Sequence, residues 1–174
     1  GGAEGTAGGG ARPAGEQAFV SPGCVPPPGP VPASVNSPSR GQLQHGQAIP
    51  NVPGIALMKR HVFATVETAA LLIDAVDQVR EDFPGTTPLP IGNASRKGGG
   101  RLRPHASHQS GRDVDAGYYV KQPEDPPRWQ VTTKRNLDAA RTWKLFEALI
   151  ASGRVEYIFA DHRIQRELHR HAKG

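Results

Sequence analysis

The sequence predicts an α+β domain, in which helices pack on a small, mainly antiparallel sheet, preceded by a disordered Gly/Pro-rich segment. Residues 1–50 contain 11 of the 21 glycines and 9 of the 17 prolines, whereas the later sequence alternates helical apolar patterns with short apolar runs. A segment with so few large apolar side chains cannot offset its ordering entropy. We therefore predict a disordered tail or linker over 1–45 and a single domain over 46–174.

Three segments beyond residue 60 have the apolar spacing of amphipathic helices. The first lies within 61–85. The second covers 136–153, with Asn136 as its N-cap, and the third covers 161–172, with Asp161 as its N-cap. These helices account for most of the apolar residues in the predicted domain.

The strands of the predicted sheet are short. A buried apolar run at 88–95, alternating residues over 113–121 and the apolar stretch 155–160 each have a strand pattern. No internal repeat is present, so these strands belong to one small sheet rather than to a repetitive array.

The overall charge narrows the classes of partner. The net charge is +5, which favours anionic partners. The chain has no block rich in Lys and Arg and no interleaved aromatic platform, so nucleic acid is not a predicted partner.

No apolar run is long enough for a transmembrane helix. The single cysteine, Cys24, cannot form an internal disulfide, and we assign it no role.

The stretch HASHQSGRDVD, residues 105–115, concentrates groups that can bind a metal. The imidazole of His108 and the carboxylate of Asp115 are both good zinc ligands. Gly111 lies between them and permits the tight turn that would bring them together. Asp113, two residues before Asp115, can orient a histidine from behind, and His105 could face the same site.

Two other interpretations of this stretch remain open. A histidine and a carboxylate at this spacing also occur together on ordinary solvated loops. A Ser-His-Asp triad could use Ser107 or Ser110, although neither serine lies in a G-x-S-x-G motif.

The longer string GGGRLRPHASHQSGRDVDAGYY, residues 98–119, closely resembles the signature of the penicillin-insensitive murein endopeptidases. These zinc peptidases are related to D-Ala-D-Ala carboxypeptidases and to the hedgehog signalling domain. The segments GQLQHGQAIP, RTWKLFEALI and YIFADHRIQRELHRHA are similar to the sequences that flank the signature in this family. The resemblance covers roughly residues 40–174.

The resemblance implies a Zn²⁺ cofactor and a role for each residue of the stretch. His108 matches the first zinc-ligand histidine and Asp115 the carboxylate ligand. His105 matches a further active-site histidine, which we expect to act in catalysis and to bind metal. Asp113 matches an aspartate that we expect to orient a ligand. The implied substrates are the peptidoglycan cross-linking peptides, cut in the periplasm at D-alanyl–meso-diaminopimelyl bonds.

The chain departs from the family near its end. A His-x-His pair normally follows the third helix and supplies another zinc ligand and the general base. His169 and His171 lie on the predicted helix itself, where residues two apart do not share a face. We therefore expect a C-terminally truncated fragment, inactive on its own. The alternatives are a non-catalytic cell-wall or anion-binding module on the same fold, and a D,D-carboxypeptidase or dipeptidase.

Overall fold

A computed structural model of the protein describes residues 29–173. The chain order of its elements is β1 (Ala33–Ser37), β2 (Arg40–Gln44), β3 (Gln47–Ala48), β4 (Ile55–Leu57), β5 (Phe63–Ala64), α1 (Val66–Asp82), β6 (Leu89–Ile91), α2 (Ala139–Ala151) and α3 (His162–Lys173). Helices and short strands occur together, which confirms the α+β class. None of the helices described is long and apolar enough to cross a membrane.

The strands form three pairs. β1 pairs with β2 and β3 with β5, both antiparallel, whereas β4 pairs with β6 in parallel. The parallel pair is possible because α1 connects its two strands and covers them. The predicted strand at 88–95 is confirmed in its first part, as β6, and the residues that follow β6 lead directly to the predicted site.

The main core lies between the helices α1 and α2 and the β4–β6 pair. The buried face of α1 consists of Ala69, Ala70, Leu72, Ile73, Ala75, Val76 and Val79. Leu89 and Ile91 of β6 are completely buried against this face. A second, smaller cluster joins Leu137 to Ile164 and Leu168, and attaches α3 to α2. The residues that lead to the predicted site therefore continue directly from β6, a strand that is completely buried at Leu89 and Ile91.

The predicted helix N-termini are correct in one case and wrong in another. Asp161 begins α3, because its side chain accepts a hydrogen bond from the Arg163 amide at 2.7 Å. The N-cap of α2 is Asp138 rather than Asn136. The Asn136 side chain instead accepts a hydrogen bond from the Thr133 amide at 2.7 Å, in the turn that precedes the helix.

The predicted disordered tail is wrong for residues 33–44, which form the β1–β2 hairpin, while residues 1–28 and Cys24 lie outside the described residues. Composition misleads here because a single apolar side chain anchors the hairpin. Leu43 is 1% exposed, and its amide donates a hydrogen bond to the Gly98 carbonyl at 3.3 Å. The hairpin therefore belongs to the domain.

Two predicted strands are wrong. In 113–121, backbone pairing is limited to isolated bridges. The backbone groups of Tyr119 are satisfied elsewhere, since its amide donates to the Thr142 hydroxyl and its carbonyl accepts from the Asp138 amide. The stretch 155–160 is not a strand either, because no segment within 29–173 pairs with it.

Gly111 adopts a backbone conformation that only glycine accepts readily, with φ of +72°. A Cβ here would lie 2.9 Å from the Leu43 side chain and 3.1 Å from the Ala64 Cα. We expect Gly111→Ala to lower the free energy of unfolding by about 1–3 kcal/mol, measured by chemical denaturation. Gly98→Ala is the matched control, because its Cβ would meet no atom within 4 Å. An equal loss in both variants would contradict this prediction.

Candidate metal centre

The backbone after β6 holds Asp115 in place. The Asp115 amide donates to the Asn93 carbonyl at 2.8 Å, and the Gly92 amide donates to the Asp115 carbonyl at 2.7 Å. A Cβ on Gly92 would lie only 2.8 Å from the Cβ of Asp115, so the close approach requires glycine. Asp115 is thus fixed by a strand-like pairing of two residues, not by the long strand that its sequence pattern predicts.

The loop that carries His108 is anchored from two sides. The completely buried Ser95 hydroxyl donates to the His108 carbonyl at 2.8 Å. On the other side the hairpin supports the loop, since the Gln109 amide donates to the Pro38 carbonyl at 3.0 Å. His108 has a φ of +63°, an unfavourable conformation for a residue with a side chain. Strain of this kind is found where function requires an exact placement.

The His108 ring is buried between two carboxylates. Its Nδ1 lies 2.9 Å from Asp113 Oδ2, and its Nε2 lies 3.1 Å from Asp115 Oδ1. Asp113 Oδ2 also accepts a hydrogen bond from the His108 amide at 3.0 Å. The Asp113 carboxylate therefore contacts both the backbone and the ring of His108 and fixes the orientation of the ring. The Asp115 carboxylate lies on the opposite side of the ring, which is more open to solvent, since the Asp115 side chain is 40% exposed.

The two carboxylates control the protonation of His108. Burial alone would lower the pKa of this imidazole, but the hydrogen bonds and charges of Asp113 and Asp115 raise the pKa to about 10. Burial would raise the pKa of each carboxyl, yet the contacts with His108 hold both pKa values below their usual range. Without a metal, the ring is a buried cation between two anions.

This cluster makes the stability of the metal-free chain depend on pH. His108 has a pKa of 6.5 when unfolded and about 10 when folded, so its stabilisation is complete below pH 6.5 and is lost as the pH rises through 10. We expect the free energy of unfolding to fall by up to roughly 1.4 kcal/mol per pH unit between these limits. Denaturant titrations with a chelator at several pH values would measure this slope. His171→Ala should keep it and His108→Gln should flatten it; a slope unchanged in His108→Gln would contradict the assignment.

His105 completes the group. Each of the three residues His105, His108 and Asp115 offers one ligand atom, and these three atoms lie within 4.8 Å of one another. The three residues could therefore hold a metal ion. The two imidazole rings meet edge to face, with centroids 4.8 Å apart. His105 Nε2 lies 3.1 Å from the Asn93 amide nitrogen, which can only donate, so Asn93 engages the lone pair of this ring nitrogen.

The other sequence candidates do not join this group. His169 and His171 are exposed on α3. Ser110 is completely buried, and its hydroxyl has no hydrogen-bond partner among the described residues. Because both nitrogens of His108 face carboxylates, neither Ser107 nor Ser110 forms with His108 the serine–histidine pair that a triad requires.

Sequence reasoning missed three residues at this site. Asn93 and Ser95 hold His105 and His108, and Trp129 lies near Asp115, since its Cη2 would be 3.4 Å from a Cβ on Gly92. Polar residues directly after a buried strand were the available signal for Asn93 and Ser95. Nothing in the sequence pattern around Trp129 indicates the site. No family model matches the chain, and neither does any curated protein.

Proposed function

We propose that this chain carries the zinc site of a murein endopeptidase, which hydrolyses D-alanyl–meso-diaminopimelyl cross-links of peptidoglycan in the periplasm. The observation that carries the proposal is the group His105, His108 and Asp115, with Asp113 behind the central histidine. Two imidazoles and one carboxylate are a ligand set used by catalytic zinc, which needs three protein ligands and one open position.

The distances in the group fit zinc. At zinc–ligand distances of about 2.0–2.1 Å, tetrahedral ligand atoms lie about 3.3 Å apart. The distance between His108 Nε2 and Asp115 Oδ1 is 3.1 Å. The whole group spans 4.8 Å, so a modest movement within the group, such as a rotation of His105, closes it. Zinc bound here would polarise a peptide carbonyl and lower the pKa of a bound water.

The surrounding residues support the same role. Asp113 on Nδ1 of His108 forms the carboxylate–histidine arrangement that orients ligands of metal sites. Asn93 acts differently on His105, because its amide nitrogen donates to Nε2 and this hydrogen bond must break before Nε2 can bind zinc. The exposed side of Asp115 leaves the group open to a substrate. The expected inactivity of this chain rests on the missing His-x-His pair, which would supply a zinc ligand and the general base. His105 offers a ligand in place of the missing one, and without the base of that pair we expect zinc-dependent hydrolysis to be slow.

The experiment that tests the function is digestion of purified cross-linked muropeptide dimers by the zinc-loaded chain, with products separated by chromatography and identified by mass. Cleavage between D-alanine and diaminopimelate, lost in Asp115→Asn and retained in Asp125→Asn, is the expected result. Release of a terminal D-alanine alone would instead indicate a carboxypeptidase. Zinc binding without any hydrolysis would favour the non-catalytic cell-wall or anion-binding module.

A substitution at Asp113 tests whether this carboxylate increases zinc affinity by orienting the ligand His108. We expect Asp113→Asn to weaken the zinc affinity, corrected for the proton that His108 releases, about 10–100-fold, because the amide no longer orients the His108 ring as a ligand. Competition with a zinc chelator of known affinity would measure the loss. Asp125→Asn, on an exposed loop, is the control. An unchanged zinc affinity in Asp113→Asn would show that this carboxylate does not support the metal.

A further inference from the structure

A cavity of about 200 Å³ begins two residues after Asp115, at Gly117. Its walls are the segments 85–88, 117–121 and 127–130, together with single residues of neighbouring elements. Trp129 lines the cavity and also lies near Asp115 across Gly92. Because a water molecule occupies about 30 Å³, the cavity holds about six or seven waters, the size of one long amino-acid side chain.

The distance from the metal group to the cavity suits a peptide. Gly117, the first cavity residue after Asp115, lies only two residues further along the chain. At about 3.3 Å per residue in extended backbone, the two are about 7 Å apart. A substrate peptide with its scissile carbonyl at the metal group would therefore bring the side chain of an adjacent residue to the cavity.

The charges around the cavity leave one cation available. Arg141 pairs with Asp138 at 2.6 Å, and Arg128 pairs with Glu124 at 3.5 Å. The ammonium of Lys121 contacts only the carbonyl of Arg135, at 3.4 Å, and within residues 29–173 it has no acidic partner. An exposed ammonium at the edge of a cavity attracts a carboxylate.

Trp129 supplies an apolar surface at the same place. Its side chain is 53% exposed although it is the largest in the cavity wall. An exposed indole next to a cavity is a good surface for packing a peptide, because it offers a large rigid area at small entropic cost.

We propose that this cavity is a specificity subsite that binds a carboxylate-bearing side chain of a peptide, with Lys121 pairing the carboxylate and Trp129 packing on the peptide next to the metal group. The inference rests on the proposed function, since it takes the substrate to be a peptide held at His108 and Asp115. In that substrate class, the free carboxylate of diaminopimelate is the group that Lys121 would bind.

The test is isothermal titration of the zinc-loaded chain with the uncross-linked disaccharide tetrapeptide. This ligand contains no D-alanyl–diaminopimelyl bond, so binding is measured without cleavage. A second ligand has the diaminopimelate carboxylate converted to an amide. The variants are Lys121→Gln and the matched control Lys134→Gln, whose lysine is also exposed but does not line the cavity.

We expect Lys121→Gln to weaken binding of the acid form at least about tenfold, the size of one charged hydrogen bond, and Lys134→Gln to change it less than twofold. The amidated ligand should bind weakly to every variant. Equal affinities of the two variants, equal affinities of the two ligands, or no binding at all would each overturn the subsite. Hydrolysis of dimers is measured separately. If the ligands bind with these differences but dimers are not hydrolysed, the subsite is supported and the endopeptidase function is rejected. If dimers are hydrolysed but Lys121→Gln has no effect on binding, the endopeptidase function is supported and the subsite is rejected.

Discussion

His108→Ala is expected to weaken zinc binding by roughly 100–1000-fold and to abolish hydrolysis. Zinc bound by four protein ligands contributes about 10–16 kcal/mol, or about 2.5–4 kcal/mol for each ligand. His108 is the central member of the group and contacts both carboxylates, so no neighbouring side chain can replace it. Zinc affinity from chelator competition, and zinc content after gel filtration, would measure the loss.

The controls separate a lost ligand from a damaged fold. Removing the His108 ring also leaves two carboxylates without their cation, which by itself could destabilise the chain. Asp115→Asn removes a ligand whose side chain is 40% exposed and should keep the fold, as circular dichroism would show. His171→Ala removes an exposed histidine and should bind zinc normally. Unchanged zinc binding in both His108→Ala and Asp115→Asn would reject the metal centre.

Zinc affinity is expected to rise about tenfold for each pH unit between pH 6.5 and about 10. The metal needs the lone pair of His108 Nε2, but the two carboxylates hold the pKa of this ring at about 10, so binding must release one proton throughout this range. An ordinary histidine, with a pKa near 6.5, would release almost none above pH 7.5. Between pH 6.5 and 10 the affinity should therefore rise by about 1000-fold in total, against about twofold for an ordinary histidine.

Titration calorimetry in buffers of different ionisation enthalpy would count the released protons, with free zinc set by a chelator. We expect about one proton per zinc at pH 8 in the unaltered chain. Asp113→Asn removes one of the two anions, lowers the pKa of His108 and should therefore reduce the number. A value near zero at pH 8 in the unaltered chain would mean that His108 is already neutral, against the geometry of the ion pairs.

The histidines and aspartates of the candidate site could be predicted from sequence, but their arrangement and the residues that hold them could not. The close spacing of His105, His108, Asp113 and Asp115 restricts how far apart they can lie, and a glycine between them permits the turn. Their placement depends on two hydrogen bonds, one between Asn93 and His105 and one from Ser95 to the His108 carbonyl. In each case the two partners are 12 or more residues apart in sequence. Such long-range partners have no local pattern.

Helices were predicted better than strands for a related reason. The seven buried residues of α1 repeat at helical spacing within one segment, so the segment itself specifies their common face. A strand is specified jointly with its neighbour. In the alternating stretch 113–121, the backbone of Tyr119 forms hydrogen bonds with the Asp138 amide and the Thr142 hydroxyl, at the start of α2, rather than with an adjacent strand. The side-chain pattern of the stretch does not indicate these partners.

The support that the β1–β2 hairpin gives to the His108 loop has a consequence for where this domain can be cut. A protease that cleaves between the hairpin and β3, or an excision of residues 1–45 guided by composition, would leave the helices and every metal-binding side chain in place. Loss of the hairpin would nevertheless take away Pro38, which accepts the hydrogen bond of the Gln109 amide, and Leu43, which packs against Gly111. The His108 loop would then keep only its anchor at Ser95, although no side chain of the candidate metal group had been removed.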